Sequence, residues 1–412
     1  MTERRVMMIQ QGARRNFVYA RHLEAANLLH SLVTDAAWPE GDAGSLAQFA
    51  ARFAPRLRGA IARRTVPGVP SARLRASVLP NLVSTSMSFL HAERAYPLID
   101  EALAWPNRLR GLEGADIVVN YHGNGGSFLA FAKRRGARIV SDFVVTPKYL
   151  EIEHEERSRW PGWESDSTSP SVIEFYRKRM SRLVAISDLY LCPSRAVARD
   201  LGDLPGFDPA RVRLVPYGAS GVLLREARPE PGRVLFAGAA GLRKGIPYLA
   251  KAARILKQRG MNIAIIVAGR VSPIVRARPE TQDLVFLGAL DRERMAEEFA
   301  RTDVFCLPSL AEGSATSIYE ALANGLPVVT TESSGSVVQD GVEGLIVPER
   351  DGTAIADGIA RIVTDRRLRA AMSAAALAAA QRYSDEACGR AFVAVIRKLA
   401  GLSDVRLAEP KA

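Results

Sequence analysis

No run in the chain approaches the ~18 consecutive apolar residues that a membrane-spanning helix needs, so an integral membrane protein of the helical kind is not expected. The N-terminus, MTERRVMMIQQGARRN, holds a short apolar run between arginines and no small-residue cleavage site. It reads as a first β-strand and not as a signal peptide. Cysteine is scarce: Cys192, Cys306 and Cys388 are widely spaced, odd in number and in no metal-ligand pattern. A disulfide framework and a cysteine-held metal are therefore not expected, and the compartment that fits is a reduced cytoplasm. Three nucleotide or metal signatures are also missing. QQGARRN, after the first strand, has one glycine where a dinucleotide fingerprint needs three; GAAGLRKG (238–245) places Gly245 where a Walker A loop needs Ser or Thr; and no HExxH occurs. Aromatic residues are only 7%, and no helix-turn-helix, zinc-finger or RNA-binding pattern is present, so nucleic acid is not an expected partner.

Acidic residues are absent from one stretch. Residues 43–92 contain no Asp or Glu but carry Arg52, Arg56, Arg58, Arg63, Arg64, Arg73 and Arg75. Of the net charge of +12, residues 1–220 hold +8 (30 basic, 22 acidic). Leu46, Phe49, Phe53, Leu57 and Ile61 fall three or four apart beside four of those arginines. The spacing predicts a basic amphipathic helix within 43–75, able to lie on an anionic membrane surface. The competing reading packs the same apolar residues on the N-terminal sheet and leaves only the arginines in water.

What is present is an alternation of short apolar runs and helical patterns over 412 residues, enough chain for two or three domains. Strands are expected at 5–10, 30–35, 115–121, 137–142, 188–193 and 211–216. After a Pro- and charge-rich passage, REARPEPG (225–232), they are expected again at 233–238, 262–269, 284–288, 303–308, 326–331 and 344–348. A helix is expected at 17–29 and an Ala-rich helix over roughly 352–401. The class is α/β: two doubly wound parallel sheets facing across a cleft, with ligands at the carboxyl ends of the strands.

Two segments could carry chemistry. GAAGLRKG offers glycine flexibility after a strand, then Arg243 and Lys244 at a helix start, a setting that suits a pyrophosphate. A solvated Arg-Lys pair is the ordinary alternative. In PSLAEGSATSIYEALANGLPVVTTESSG (308–335), Glu312 lies in the loop after a strand, and Glu320 lies one turn into a helix that begins near Thr316. A carboxylate there suits the two adjacent hydroxyls of a ribose; the alternative is an exposed Glu on a surface helix.

EGSATSIYEALANGLPVV resembles the hallmark of the retaining GT-B-fold glycosyltransferases of family 4 (glycosyl transferases group 1): Glu, seven residues, Glu, within EGxxxxxxEAxAxGxPVV. Arg243-Lys244-Gly245 upstream, Gly335, Gly341 and Gly344–Pro348 downstream, and DLYLCPS…VRLVPYG (188–218) fit the same pattern. The resemblance implies two Rossmann-like domains: an acceptor domain at 1–222, a donor domain at 223–385, and a C-terminal helix and tail at 386–412 that cross back to the first. It implies that Arg243 and Lys244 hold the donor diphosphate and that Glu320 binds the nucleotide ribose. Glu312, with the backbone of Gly313, Ser314 and Ala315 and the helix start at Thr316, faces the transferred sugar, and His122 of NYHGNGG stands at the sugar side. Gly12 is the one candidate in QQGARRN for close approach to the donor, and its neighbours Arg14 and Arg15 are candidates to meet a phosphate. The sequence departs from the family in EGSA for the usual EGFG, and in Tyr217-Gly218-Ala219-Ser220, which lacks the usual acid.

The activity so implied is hexose transfer from a nucleotide diphosphate sugar, the co-substrate, with no cofactor and no metal. The acceptor would be a glycan, a lipid-linked molecule or a small molecule, and the enzyme would be cytoplasmic with peripheral membrane contact. A nucleotide-sugar epimerase or phosphorylase of the same fold, or a non-catalytic carbohydrate-binding subunit, are the alternatives.

Overall fold

The computed structural model describes residues 5–40, 64–86, 92–165, 168–219, 222 and 224–402. Two parallel sheets organise them. The first has seven strands, in the order Leu74–Ala76, Leu29–Thr34, Val6–Ile9, Ile117–Tyr121, Arg138–Asp142, Leu189–Cys192 and Val212–Leu214. The second has six, in the order Leu284–Gly288, Ala264–Ala268, Arg233–Ala237, Val304–Leu307, Val328–Thr330 and Gly344–Ile346. The central strands are apolar on both faces, as strands covered by helices on both sides must be: Val6–Ile9 and Val304–Leu307 are buried at every position.

Each sheet starts near its middle, grows outward to one edge, then returns to the centre and grows the other way. The reversal lies between Val6–Ile9 and Ile117–Tyr121 in the first sheet, and between Arg233–Ala237 and Val304–Leu307 in the second. At such a point the loops after the two central strands diverge to opposite faces and leave a crevice between them. Those loops are Gln10–Phe17 and His122–Gly125 in the first domain, and Gly238–Lys244 and Pro308–Ala315 in the second.

Helix ends follow side-chain chemistry. The Ala-rich C-terminal segment, expected as one helix, is three: Gly352–Thr364, Arg366–Arg382 and Asp385–Ala400. Asp365 accepts from the N–H groups of Arg367 and Leu368, and Ser384 from that of Ala387. Each cap satisfies donors that a continuous helix would have bonded internally, so each restarts the helix in a new direction. The expected helix at 17–29 is shortened to Val18–Ala25 because Arg15, Asn16, Phe17 and Asn27 take left-handed backbone angles.

Several segments join the domains. Gly218 lies so close to Ser384 that a β-carbon on it would meet the Ser384 carbonyl carbon at 2.2 Å. Helix Asp385–Ala400 packs on helix Val18–Ala25, with Tyr19 and Phe392 rings stacked at 4.1 Å and Gly389 against the His22 ring. The third segment comes from within the first half. Helix Tyr149–Arg159 and the turn after it leave the first sheet and insert Trp163, fully buried, into the core around Phe236 and Leu249 of the second. Burying a side chain of that size stabilises by about 1.5–3 kcal/mol.

The amphipathic helix expected within 43–75 is not what the described part of that stretch forms. Thr65–Val66 pairs with Trp38–Pro39, Ser71–Arg73 is a single tight turn, and Leu74–Ala76 is the edge strand of the first sheet. Its arginines have partners: Arg64 pairs with Asp35 at 2.8 Å, Arg73 donates to the His30 carbonyl, and Arg75 pairs with Glu113 at 2.5 Å. Leu46, Phe49, Arg52, Phe53, Arg56, Leu57, Arg58, Ile61 and Arg63 lie outside the described residues.

Candidate functional site

The switch point of the second sheet explains why two segments about 70 residues apart form one site. Leu242–Lys244 is a single tight turn between Gly241 and Gly245. Gly245 has φ +74°, and a β-carbon there would lie 2.1 Å from the Pro308 carbonyl oxygen. Glycine thus permits both the turn and its contact with the loop after Val304–Leu307. The Leu310 N–H then donates to the Arg243 carbonyl at 2.8 Å, locking loop to loop.

On that base the charged groups meet. Glu312 lies 2.7 Å from Arg243 Nη1 and 2.8 Å from Lys244 Nζ through the same carboxylate oxygen, and Arg243 also donates to the Ala311 carbonyl. The structure therefore joins three of the residues singled out from sequence into one cluster, largely shielded from solvent. Glu320, in helix Thr316–Ala323, is different. Its carboxyl is mostly buried and has no hydrogen-bond or ionic partner among the described residues, and burial raises its pKa above the ordinary carboxylate value. A group in that state is ready to accept hydroxyl donors from a ligand.

The intervening residues have separate tasks. A β-carbon on Gly313 would lie 1.8 Å from the Val144 carbonyl oxygen, so this glycine lets the loop touch the first domain. The Ser314 hydroxyl contacts Tyr319 Oη at 2.6 Å and donates to the Gly335 carbonyl. The Ala315 N–H bonds the Ser334 carbonyl. The N–H groups of Gly313, Ser314 and exposed Thr316 have no such bond among the described residues.

In the first domain, Gly12 has φ +78° and its N–H donates to Asp35 Oδ1 at 2.8 Å, holding the loop after the first strand open. Arg14 lies over the Tyr121 ring. Arg15 pairs through Nη2 with Asp385 at 3.1 Å and covers the Tyr217 ring at 4.1 Å, tying the first domain to the C-terminal helix, while its Nη1 has no partner among the described residues. His122 has φ +52°, its Nε2 lies 2.6 Å from Tyr176 Oη, and its Nδ1 has no partner among the described residues. Burial, then Arg179 and Arg14, push the imidazole down to about 3, so it is neutral at pH 7. A cavity of about 310 Å³ opens beside this loop, lined by Asp100, Glu101, Gly123, Phe175, Arg179 and Leu183 among others.

Sequence reasoning missed several groups. Asp142, at the end of a central strand, is buried with both carboxylate oxygens unpartnered among the described residues, and burial pushes it up to about 7 against the lowering effect of Arg15. Glu153 lies 3.3 Å from Arg243 Nε, and Glu164 accepts from the Leu242 N–H at 2.7 Å. Neither glutamate sits in a motif. The only signal was the tryptophan pair Trp160 and Trp163 in an otherwise charged passage, a mark of docking rather than solvent exposure.

Residues 225–378 match the family model for glycosyl transferases group 1. The chain is 30% identical over 216 residues to the amylovoran biosynthesis glycosyltransferase AmsK of Erwinia amylovora, covering 48% of this chain and 53% of that protein. It is 31% identical over 236 residues to the D-inositol 3-phosphate glycosyltransferase of Xylanimonas cellulosilytica, covering 50% and 56%. The chain thus spans about half the length of these curated relatives. Among solved structures, the sucrose-phosphate synthase from Thermosynechococcus elongatus superposes over 97% of this chain and 99% of its own, with a TM-score of 0.63 at 16% identity, a likeness of fold.

Proposed function

We propose that this chain, whose residues 225–378 are a group 1 glycosyltransferase domain on a GT-B frame, moves a hexose from a nucleotide diphosphate sugar to an acceptor with retention at the anomeric carbon. One observation carries the reading. Arg243, Lys244 and Glu312 converge at the switch point of the second sheet, and Glu320, eight residues on, keeps a shielded carboxyl with no partner among the described residues.

In this reading the diphosphate takes Arg243 and Lys244 from Glu312, and the freed carboxylate turns to the sugar. Glu320 accepts both ribose hydroxyls. The bond between the anomeric carbon and the β-phosphate oxygen breaks, and the charge that builds on the leaving diphosphate is met by the two cations. The acceptor oxygen attacks from the same face, and its proton passes to the departing phosphate. Neutral His122 offers a hydrogen bond to the sugar rather than a charge. The cavity beside Gly123 is where we place the acceptor: a glycan, a lipid-linked molecule or a small molecule of envelope polysaccharide or glycolipid synthesis.

A cytoplasmic setting with peripheral contact to anionic lipid belongs to the same proposal. No helix among the described residues is long and apolar enough to cross a membrane. Thermal unfolding with UDP, GDP and ADP tests the donor site, since a ligand that binds only the folded state raises the midpoint. We expect one of the three to do so. If none does at millimolar concentration, the donor-site reading fails.

A further inference from the structure

The donor-site turn is held from an unexpected side. Helix Tyr149–Arg159 belongs by chain order to the first domain, yet its far end is anchored in the second. Glu156, fully buried, accepts from Tyr248 Oη at 2.7 Å and pairs with Arg350 Nε at 2.6 Å. Trp160 Nε1 donates to Tyr248 Oη, and Trp163 lies in the second core. These contacts fix the helix so that Glu153 faces Arg243 Nε at 3.3 Å and Glu164 accepts the Leu242 N–H. Arg157 lies between the two glutamates, at 3.4 and 3.7 Å.

The charges around the turn are therefore balanced. Arg157, Arg243 and Lys244 face Glu153, Glu164 and Glu312. A nucleoside diphosphate entering this cluster meets no net positive charge unless a carboxylate withdraws. Glu312 sits on a loop and can turn away. Glu153 sits on a helix pinned at Glu156, Trp160 and Trp163, so it stays. Burial also raises the Glu153 pKa, with Arg243 and Arg157 opposing, so its charge is held at a cost.

We propose that Glu153 is an affinity-setting residue of the donor site: a fixed carboxylate, supplied by the first half of the chain, that occupies one edge of the Arg243 guanidinium and weakens the hold on the diphosphate. The inference rests on the donor-site reading above. Its consequence is that removing a charge from the site tightens ligand binding, the opposite of what loss of a structural contact would do. Weak retention has a purpose in a transferase, because the nucleoside diphosphate must leave after each turnover.

The test is calorimetry of UDP, GDP and ADP with the full chain. Glu153→Gln keeps the side-chain volume and an acceptor for Arg243 Nε but removes the charge. It should bind the preferred nucleotide about threefold more tightly, the size expected of one partly solvated ion pair. Glu153→Ala, run in parallel, should shift affinity in the same direction. Glu155→Gln, on the same helix but paired with Arg350 at the surface, should change nothing. Arg243→Ala should weaken binding. If both Glu153 variants bind equally or less tightly while Arg243→Ala weakens, this inference is overturned and the donor site stands. If Arg243→Ala has no effect, the donor-site reading falls and this inference falls with it.

Discussion

Glu320→Gln should make the free protein more stable and the nucleotide-binding protein worse. The carboxyl is mostly buried, has no partner among the described residues, and has a pKa raised by burial. A raised carboxylate pKa means that the unfolded chain ionises more readily than the folded one. The folded state therefore loses stability as pH rises through the unfolded value and on through the higher folded value. Neutral glutamine escapes that cost.

The mutational cost of burying an unsatisfied polar group, about 1–3 kcal/mol, sets the upper bound, and the residual solvent at this site lowers it to about 1 kcal/mol. At about 2–4 °C per kcal/mol for a domain of this size, Glu320→Gln should raise the melting midpoint by a few degrees at pH 7. The gain should shrink as pH falls through the unfolded value, well below which the carboxyl is protonated in both states. Binding should move the other way. A carboxylate accepting two hydroxyls makes charge-assisted bonds of about 1.5–3 kcal/mol each, and glutamine keeps only neutral ones. At least a tenfold loss in nucleotide affinity is expected. Scanning calorimetry from pH 4 to 8, with titration calorimetry at pH 7, reads both. A lower midpoint at pH 7 together with unchanged affinity would refute the argument and make Glu320 a structural residue.

Other expectations follow from the same geometry. Arg243→Ala and Lys244→Ala should each reduce turnover at least tenfold with less effect on melting, because leaving-group charge is largest in the transition state. Rates in EDTA and in magnesium should agree, and full loss on chelation with rescue by added metal would contradict the proposed role of the two cations. Gly313→Ala should place a methyl 1.8 Å from the Val144 carbonyl, so the loop must move; about 1–3 kcal/mol of destabilisation in chemical denaturation, with impaired transfer, is expected. With its pKa pushed down to about 3, His122 should show no titration between pH 5 and 8 in NMR. Because the unfolded imidazole takes up a proton near pH 6.5 and the folded one does not, His122 should reduce stability as pH falls below that value, and His122→Gln should remove that part of the slope.

The sequence alone determined the strand positions, because both sheets are read from runs of apolar residues whose burial is a local matter of composition and period. The strands of both sheets fall within the intervals expected for them, except Leu29–Thr34, which starts one residue early, and the edge strand Leu74–Ala76, which was not expected; the helix over Thr316–Ala323 starts where it was placed. The Glu312 to Glu320 spacing was visible in the same way, since eight residues across a loop and one helical turn need no distant partner. Tertiary structure decided the rest. Strand order, which no local pattern encodes, put Arg233–Ala237 beside Val304–Leu307 and so brought Arg243 and Lys244 onto Glu312. Edge pairing drew Leu74–Ala76 into the first sheet and set Thr65–Val66 beside Trp38–Pro39, pairings that no local pattern announced. The same long-range packing fixed Arg15 on Asp385 and carried Glu153 onto Arg243 on a helix anchored by Trp163. Each of these contacts joins residues tens to hundreds of positions apart, and their energy depends on neighbours that periodicity cannot see.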